Sequence, residues 1–204
     1  MINRILCFGD SITLGVGDSK SLGWVGRLNI EHHNKNIRNF IYNLGDYRET
    51  SSDLIKRFEK EATSRFKKTE KFSYSFIISI GINDTRINLE TGKEKVDINK
   101  FKNNIKKLIS ICKKNKKEVI FLGLTPVIEK KVLNRMGSKF INSKIRVYNE
   151  VIKKECEKNN IEFIHIFDKI KEDMLLDGLH LNEKGYNLIT NNIKKVLKNK
   201  KWIN

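Results

Sequence analysis

The sequence predicts a three-layer α/β/α domain built on a five-stranded parallel sheet. Three observations carry that prediction. Short apolar runs alternate with longer amphipathic stretches along the 204 residues, the order that yields parallel strands joined by right-handed crossovers. The short runs are near-continuously apolar, as strands are when helices cover both faces of their sheet. No internal repeat, low-complexity linker or compositional break divides the chain, so residues 1–204 are expected to form one domain.

The elements follow in order. RILCF (4–8) is the first strand, and GWVGRLNIEHHN (23–34) reads as a helix. NFIYNLG (39–45) is the second strand. A helix from 51 to 67 carries Leu54, Phe58, Ala62 and Phe66 at four-residue steps. YSFIISIG (74–81) is the third strand. Asp97 caps a helix whose buried stripe is Phe101, Ile105, Leu108 and Cys112. EVIFLGL (118–124) is the fourth strand, ended by Pro126. Ile141, Ile145, Tyr148, Ile152 and Cys156 mark another helix, IEFIHIF (161–167) is the fifth strand, and a last helix runs over about 182–198. The longest irregular segments are 85–96 and 126–140, and loops of that length inside a compact domain are often functional.

The net charge is +17 and the isoelectric point lies near 9.8. The lysines are spread over several helices, mostly opposite the apolar stripes, and no stretch interleaves basic with aromatic residues. A specific nucleic-acid partner is therefore not expected. Cys7, Cys112 and Cys156 lie far apart and form no CxxC pair, which argues for free thiols in a reducing compartment. No run approaches the ~20 apolar residues of a membrane helix. The N-terminal apolar run meets Asp10 after four residues, too short for a signal peptide, so a cytoplasmic location is expected.

In an open parallel sheet, ligands bind beyond the carboxyl ends of the strands. Gly9-Asp10-Ser11 follows the first strand, Asn43-Leu44-Gly45 the second and Gly81-Ile82-Asn83-Asp84 the third. Asp177-Gly178-Leu179-His180 follows the fifth at some distance. Each has an ordinary reading. Ser11 alone reads first as a helix cap, Gly45 as a turn residue, Asn83 and Asp84 as a local turn, and His180 as a surface histidine. Together they are more specific. A three-residue step sets the Asp177 carboxylate beside the His180 imidazole, which could then take the Ser11 proton. The Ser11 N–H, the Gly45 N–H and the Asn83 amide are candidate donors to an oxyanion.

The blocks GDSIT, NLG, GIND and DGLH, in this order and spacing, resemble those of the GDSL esterase/lipase family, also called SGNH hydrolases. The resemblance runs from Arg4 to the last helix. It implies a flavodoxin-like sheet and hydrolysis of carboxylic esters through an acyl-enzyme, without metal or cofactor. It implies Ser11 as nucleophile, His180 as general base and then acid, and Asp177 as the acid that orients it. Ser11, Gly45 and Asn83 would form the oxyanion hole.

Two departures stand out. Ile12 replaces the usual Leu of the first block, and the second block continues with the bulky, charged run Asp46-Tyr47-Arg48-Glu49. Arg48 is therefore a candidate contact to an anionic or polar part of the substrate, against the equal alternative of a solvated ion pair. Other residues point away from chemistry. His32 and His33 are neighbours about 100° apart on a helix, which suits a solvated face better than a metal. His165 reads as a core or strand-end histidine. Gly9, Gly15 and Gly17 lack the spacing of a nucleotide loop.

The leading expectation is a serine hydrolase acting on a small-molecule, lipid or carbohydrate ester. Acetylated carbohydrates, short aryl or alkyl esters and lysophospholipids all fit. The loop 126–140, with Val127, Leu133 and Met136, is expected to line the acyl side. Acyl transfer by the same triad, and a basic binding protein on an inactive hydrolase scaffold, are the alternatives.

Overall fold

The chain begins with β1 (Ile2–Gly9), α1 (Ser11–Leu14), α2 (Gly23–Lys35), β2 (Ile41–Gly45), α3 (Ser51–Thr63) and β3 (Phe72–Ser79) in the computed structural model, which describes residues 2–67 and 69–203. It continues with β4 (Ile87–Asn88), α4 (Ile98–Lys114), β5 (Val119–Leu122), α5 (Glu129–Val132), β6 (Ser138–Lys139), α6 (Asn142–Lys158), β7 (Glu162–Ile164) and α7 (Glu183–Asn199). Five of these strands form one parallel sheet in the order β2-β1-β3-β5-β7. That is the doubly wound, flavodoxin-like order. α3, α4 and α6 each carry the chain in the same direction across the sheet, so right-handed crossovers stack them in a row on one face. α2 carries it the opposite way, from β1 to β2, and packs against α7 on the other face.

The sequence signals act as elementary chemistry requires. Thr50 and Asp53 form a reciprocal capping box at the start of α3. Asp97 accepts the Asn99 and Lys100 N–H groups to start α4, whose stripe Phe101, Ile105, Leu108 and Cys112 is fully buried. The Asn182 side chain caps α7. Between sheet and α3, Phe58 packs edge-on to Phe8 at 4.6 Å and to Phe76 at 5.4 Å between centroids. All three cysteines are buried free thiols, and burial pushes Cys156 up to about 12.

Four expectations need correction. α3 stops at Thr63 rather than 67, because Thr63 and Ser64 turn their hydroxyls back onto the Glu59 and Glu61 carbonyls at 2.8 and 2.9 Å. Phe66 still packs on the core from the following turn. β7 is three residues long, because His165 instead closes an i,i+3 contact with Asp168 at 2.7 Å over a 3₁₀ turn. His32 is buried rather than solvated, and burial lowers its pKa, which keeps the ring neutral. It sits four residues beyond Leu28 and eight beyond Trp24 on the buried stripe of α2. Finally, the segments 85–96 and 126–140 are not independent loops. β4 and β6 pair antiparallel, Ile87 with Lys139 and Asn88 with Ser138, and tie the two into one wall.

Candidate active site

The strand order reverses between β1 and β3, and a crevice opens there at their carboxyl ends. Close approach at that point requires Gly9, where a Cβ would fall 2.1 Å from the Ser79 carbonyl oxygen and 2.3 Å from Thr13 Oγ1. Asp10 then accepts the Ile12 N–H at 2.9 Å and starts the single-turn helix α1. Ser11 is its first residue, so its N–H has no partner within the helix.

His180 Nε2 lies 3.0 Å from Ser11 Oγ, and His180 Nδ1 lies 2.8 Å from Asp177 Oδ2. Ser11 and His180 are each 4% exposed, while the Asp177 side chain is about one-third exposed. Asp177 Oδ1 accepts the Leu179 and His180 backbone N–H groups at 3.0 and 2.7 Å, so the turn that carries the imidazole also fixes its orienting carboxylate. Arg135 Nη2 reaches the same Oδ2 at 2.8 Å. Burial raises the Asp177 pKa, but these four donors outweigh it and hold the carboxyl well below the usual range. The Tyr47 ring lies nearly parallel to the imidazole, 6.4 Å away between centroids.

Asn83 faces the same crevice from the end of β3, and its side-chain amide donates one hydrogen to the Glu49 carbonyl at 3.0 Å. The second amide hydrogen remains for a ligand. Gly45, expected as an oxyanion donor, is placed differently. Its N–H donates to Asn43 Oδ1 at 3.0 Å, and a Cβ there would fall 2.3 Å from the Leu14 nitrogen. Gly45 thus lets α1 settle on β2, while Asn43 Nδ2 caps the Leu14 carbonyl at 3.2 Å. Tyr47 and Arg48, on the loop that follows Gly45, line the crevice. Arg48 adopts a left-handed backbone conformation, φ 61°, unusual for a residue with a side chain. Its N–H bonds to nothing among the described residues.

Beneath the serine lies a layer of buried acids. Asp84 accepts the Ser51 N–H at 2.9 Å and the Ser51 hydroxyl, and Asn104 holds that hydroxyl at 2.8 Å. Burial pushes Asp84 up to about 6. Glu49 is clamped by Arg57 through two bonds of 2.6 Å, and burial still raises it. Asp10 is pushed up to about 7, first by burial and then by the nearby Asp84 and Glu49.

The crevice is small, with a cavity volume of about 30 Å³. Its wall over the serine comes from the paired segments and from the DGLH turn: Arg86, Arg135, Met136, Phe140 and Leu179. Of the three residues expected on the acyl side, Met136 reaches the crevice. Val127 is buried in the core with its N–H on Asn142 Oδ1 at 2.9 Å, and the Leu133 side chain is 64% exposed away from it. His165 pairs with Asp168 at the surface, outside the crevice. Among the described residues, no group of three or more His, Cys, Asp or Glu is placed to hold a metal ion, and no helix is long and apolar enough to cross a membrane.

Comparison with known proteins bears on the fold and the family. Residues 7–188 match the profile of the GDSL-like lipase/acylhydrolase family. Among solved structures, a lipase/acylhydrolase from Enterococcus faecalis superposes with a TM-score of 0.75 at 22% identity, covering 98% of this chain and 97% of its own. The acetyl xylan esterase AlAXEase gives a TM-score of 0.75 at 19% identity, covering 95% of this chain and 99% of its own. A mutant of the Geobacillus acetyl-xylooligosaccharide esterase Axe2 gives 0.71 at 21% identity, covering 94% and 92%. No functionally curated protein matches the sequence significantly.

Proposed function

Because the chain belongs to the GDSL-like lipase/acylhydrolase family, and is a carboxylic ester hydrolase, we propose that it cleaves short-chain acyl esters through an acyl-enzyme on Ser11. The observation that carries this reading is the His180 imidazole, hydrogen-bonded to Ser11 on one side and to Asp177 on the other, at the floor of an open crevice.

In the proposed cycle Ser11 Oγ attacks the acyl carbonyl and its proton passes to His180 Nε2. Asp177 holds the proton on Nδ1, so Nε2 is the free base, and its charge supports the imidazolium. The carbonyl oxygen becomes an oxyanion that takes hydrogen bonds from the Ser11 N–H and the free hydrogen of Asn83 Nδ2. The Arg48 N–H, unpaired and at the crevice, is assigned as third donor in place of Gly45, whose N–H is engaged by Asn43. Collapse breaks the bond to the leaving oxygen, which receives the Nε2 proton. Water then attacks the acyl-serine, giving its proton to Nε2, and the second collapse returns that proton to Ser11 Oγ.

The small crevice favours an acetyl or similarly short acyl group. Two of the structural relatives act on acetylated xylan or xylo-oligosaccharides, which supports the same preference. We further read the chain as a single catalytic domain working in a reducing compartment, on the strength of its three unpaired, buried cysteines.

Hydrolysis of p-nitrophenyl acetate and its longer homologues tests the reading. The wild-type protein should turn over the acetate best and Ser11→Ala should be inactive. Equal slow release by both proteins would refute it. Product analysis with added alcohols separates hydrolysis from acyl transfer.

A further inference from the structure

Three of the ten residues lining the crevice are arginines, and none is Asp or Glu. The chain has nine arginines in all. Most of the others are spoken for by carboxylates: Arg27 by Asp18, Arg57 by Glu49 and Glu61, Arg65 by Glu61, and Arg146 by Asp168. Within the crevice, Arg135 is neutralised by Asp177 at 2.8 Å. Arg48 and Arg86 are different. Neither guanidinium has a hydrogen bond or ion pair among the described residues, although Arg86 is half-buried.

Their placement brings the two charges to one crevice. Arg86 lies just beyond the Asn83 turn, and Arg48 lies on the loop that faces it. Burial first, and then the neighbouring Arg48 charge, push the Arg86 pKa down. Arg86 is half-buried and Arg48 exposed, and two like charges that share one crevice repel each other unless an anion lies between them. The left-handed backbone at Arg48 adds a local strain of the kind that collects at ligand sites. A guanidinium offers planar, paired N–H groups that match the two oxygens of a carboxylate or phosphate.

We propose that Arg48 and Arg86 form an anion subsite beside Ser11, and that the natural ester carries a carboxylate or phosphate group close to the bond that is cleaved. The inference rests on the serine esterase reading and narrows its substrate class.

The test compares matched esters. One pair is the p-nitrophenyl monoester of succinate against its neutral methyl diester. The other is 1-acetylglycerol 3-phosphate against 1-acetylglycerol. The wild-type protein should prefer one anionic member by about tenfold or more in kcat/KM, the range set by a charge-assisted pair. Which pair responds tells carboxylate from phosphate. Arg48→Gly, which keeps the left-handed turn, and Arg86→Gln should each reduce that preference about tenfold. Lys106→Ala and Lys195→Ala, exposed on α4 and α7, should leave it unchanged. No preference in either pair overturns the proposal. So does a preference that survives both arginine variants, or one that the lysine variants erode equally, since that is generic steering by the +17 charge.

A binding readout keeps this separate from the chemistry. In Ser11→Ala, glycerol 3-phosphate or monomethyl succinate should raise the Tm, and the added Arg86→Gln change should remove the shift. Persisting hydrolysis by Ser11→Ala would overturn the serine reading, while the Tm shift would still decide the anion subsite.

Discussion

Replacing Asp177 by Asn tests how the site sets the histidine tautomer. Asp177 takes four hydrogen bonds: Leu179 N–H and His180 N–H on Oδ1, His180 Nδ1 and Arg135 Nη2 on Oδ2. An Asn has one oxygen. If that oxygen keeps the two backbone donors, at 3.0 and 2.7 Å, its NH2 group takes the Oδ2 place and faces Nδ1. Nδ1 must then accept, the ring proton moves to Nε2, and Nε2 can no longer take the Ser11 proton. If the amide turns over instead, the NH2 group faces two backbone N–H donors. A wrong tautomer costs about 10⁴-fold in kcat in serine hydrolases, or roughly 5–6 kcal/mol of activation free energy. The effect on folding is much smaller, because the lost Arg135 ion pair is partly exposed and such pairs contribute about 1 kcal/mol or less. The assay is kcat on p-nitrophenyl acetate beside a thermal melt. A melting temperature within a few degrees of wild type, with kcat down by three to four orders of magnitude (about 10³ to 10⁴-fold), is expected. A kcat within about tenfold of wild type would refute the tautomer argument.

Asp10 is pushed up to about 7, so the folded protein keeps a proton there that the unfolded chain releases near pH 4. Between those values the unfolded state binds fewer protons, and stability must fall as pH rises from about 4 to about 7. Asp10→Asn should flatten that part of a denaturation-midpoint profile, and an unchanged slope would contradict the assignment. Gly45→Ala should displace α1, because the added Cβ meets the Leu14 nitrogen at 2.3 Å; a stability loss of about 1–3 kcal/mol together with reduced activity is expected. Phe140→Ala should enlarge the crevice and move the preference towards longer acyl groups in a p-nitrophenyl ester series, whereas an unmoved preference would place the acyl chain elsewhere.

Much of the fold was legible because strand and helix signals are local. The apolar runs, the Asp97 cap and the four-residue step of Leu54, Phe58 and Ala62 on α3 obey rules that need no tertiary context. That Ser11, Asn83 and the DGLH turn would meet was legible for a related reason: Ser11 and Asn83 follow recognisable strand ends, the DGLH turn lies at some distance beyond the last, and a parallel sheet gathers such ends on one edge. Gly45 was not. A glycine needed for close packing and a glycine offering its N–H look the same in a sequence, and only the clash with Leu14 separates them. Arg48 was flagged for its charge, yet nothing in an Arg announces a left-handed backbone. The β4–β6 pairing joins two residues to two others 50 positions away, too short for any periodicity to reveal, and it carries Arg86 and Arg135 to the site. The burial of His32 was available in its four-residue step from Leu28 and was masked by the neighbouring His33.

The central claim is that Ser11 forms a covalent acyl intermediate. Incubation with an alkyl fluorophosphonate, followed by peptide mass spectrometry, addresses it directly. One adduct per chain is expected, on the peptide containing Ser11, with its loss in His180→Ala. No adduct, or modification spread over lysines in its place, would contradict it.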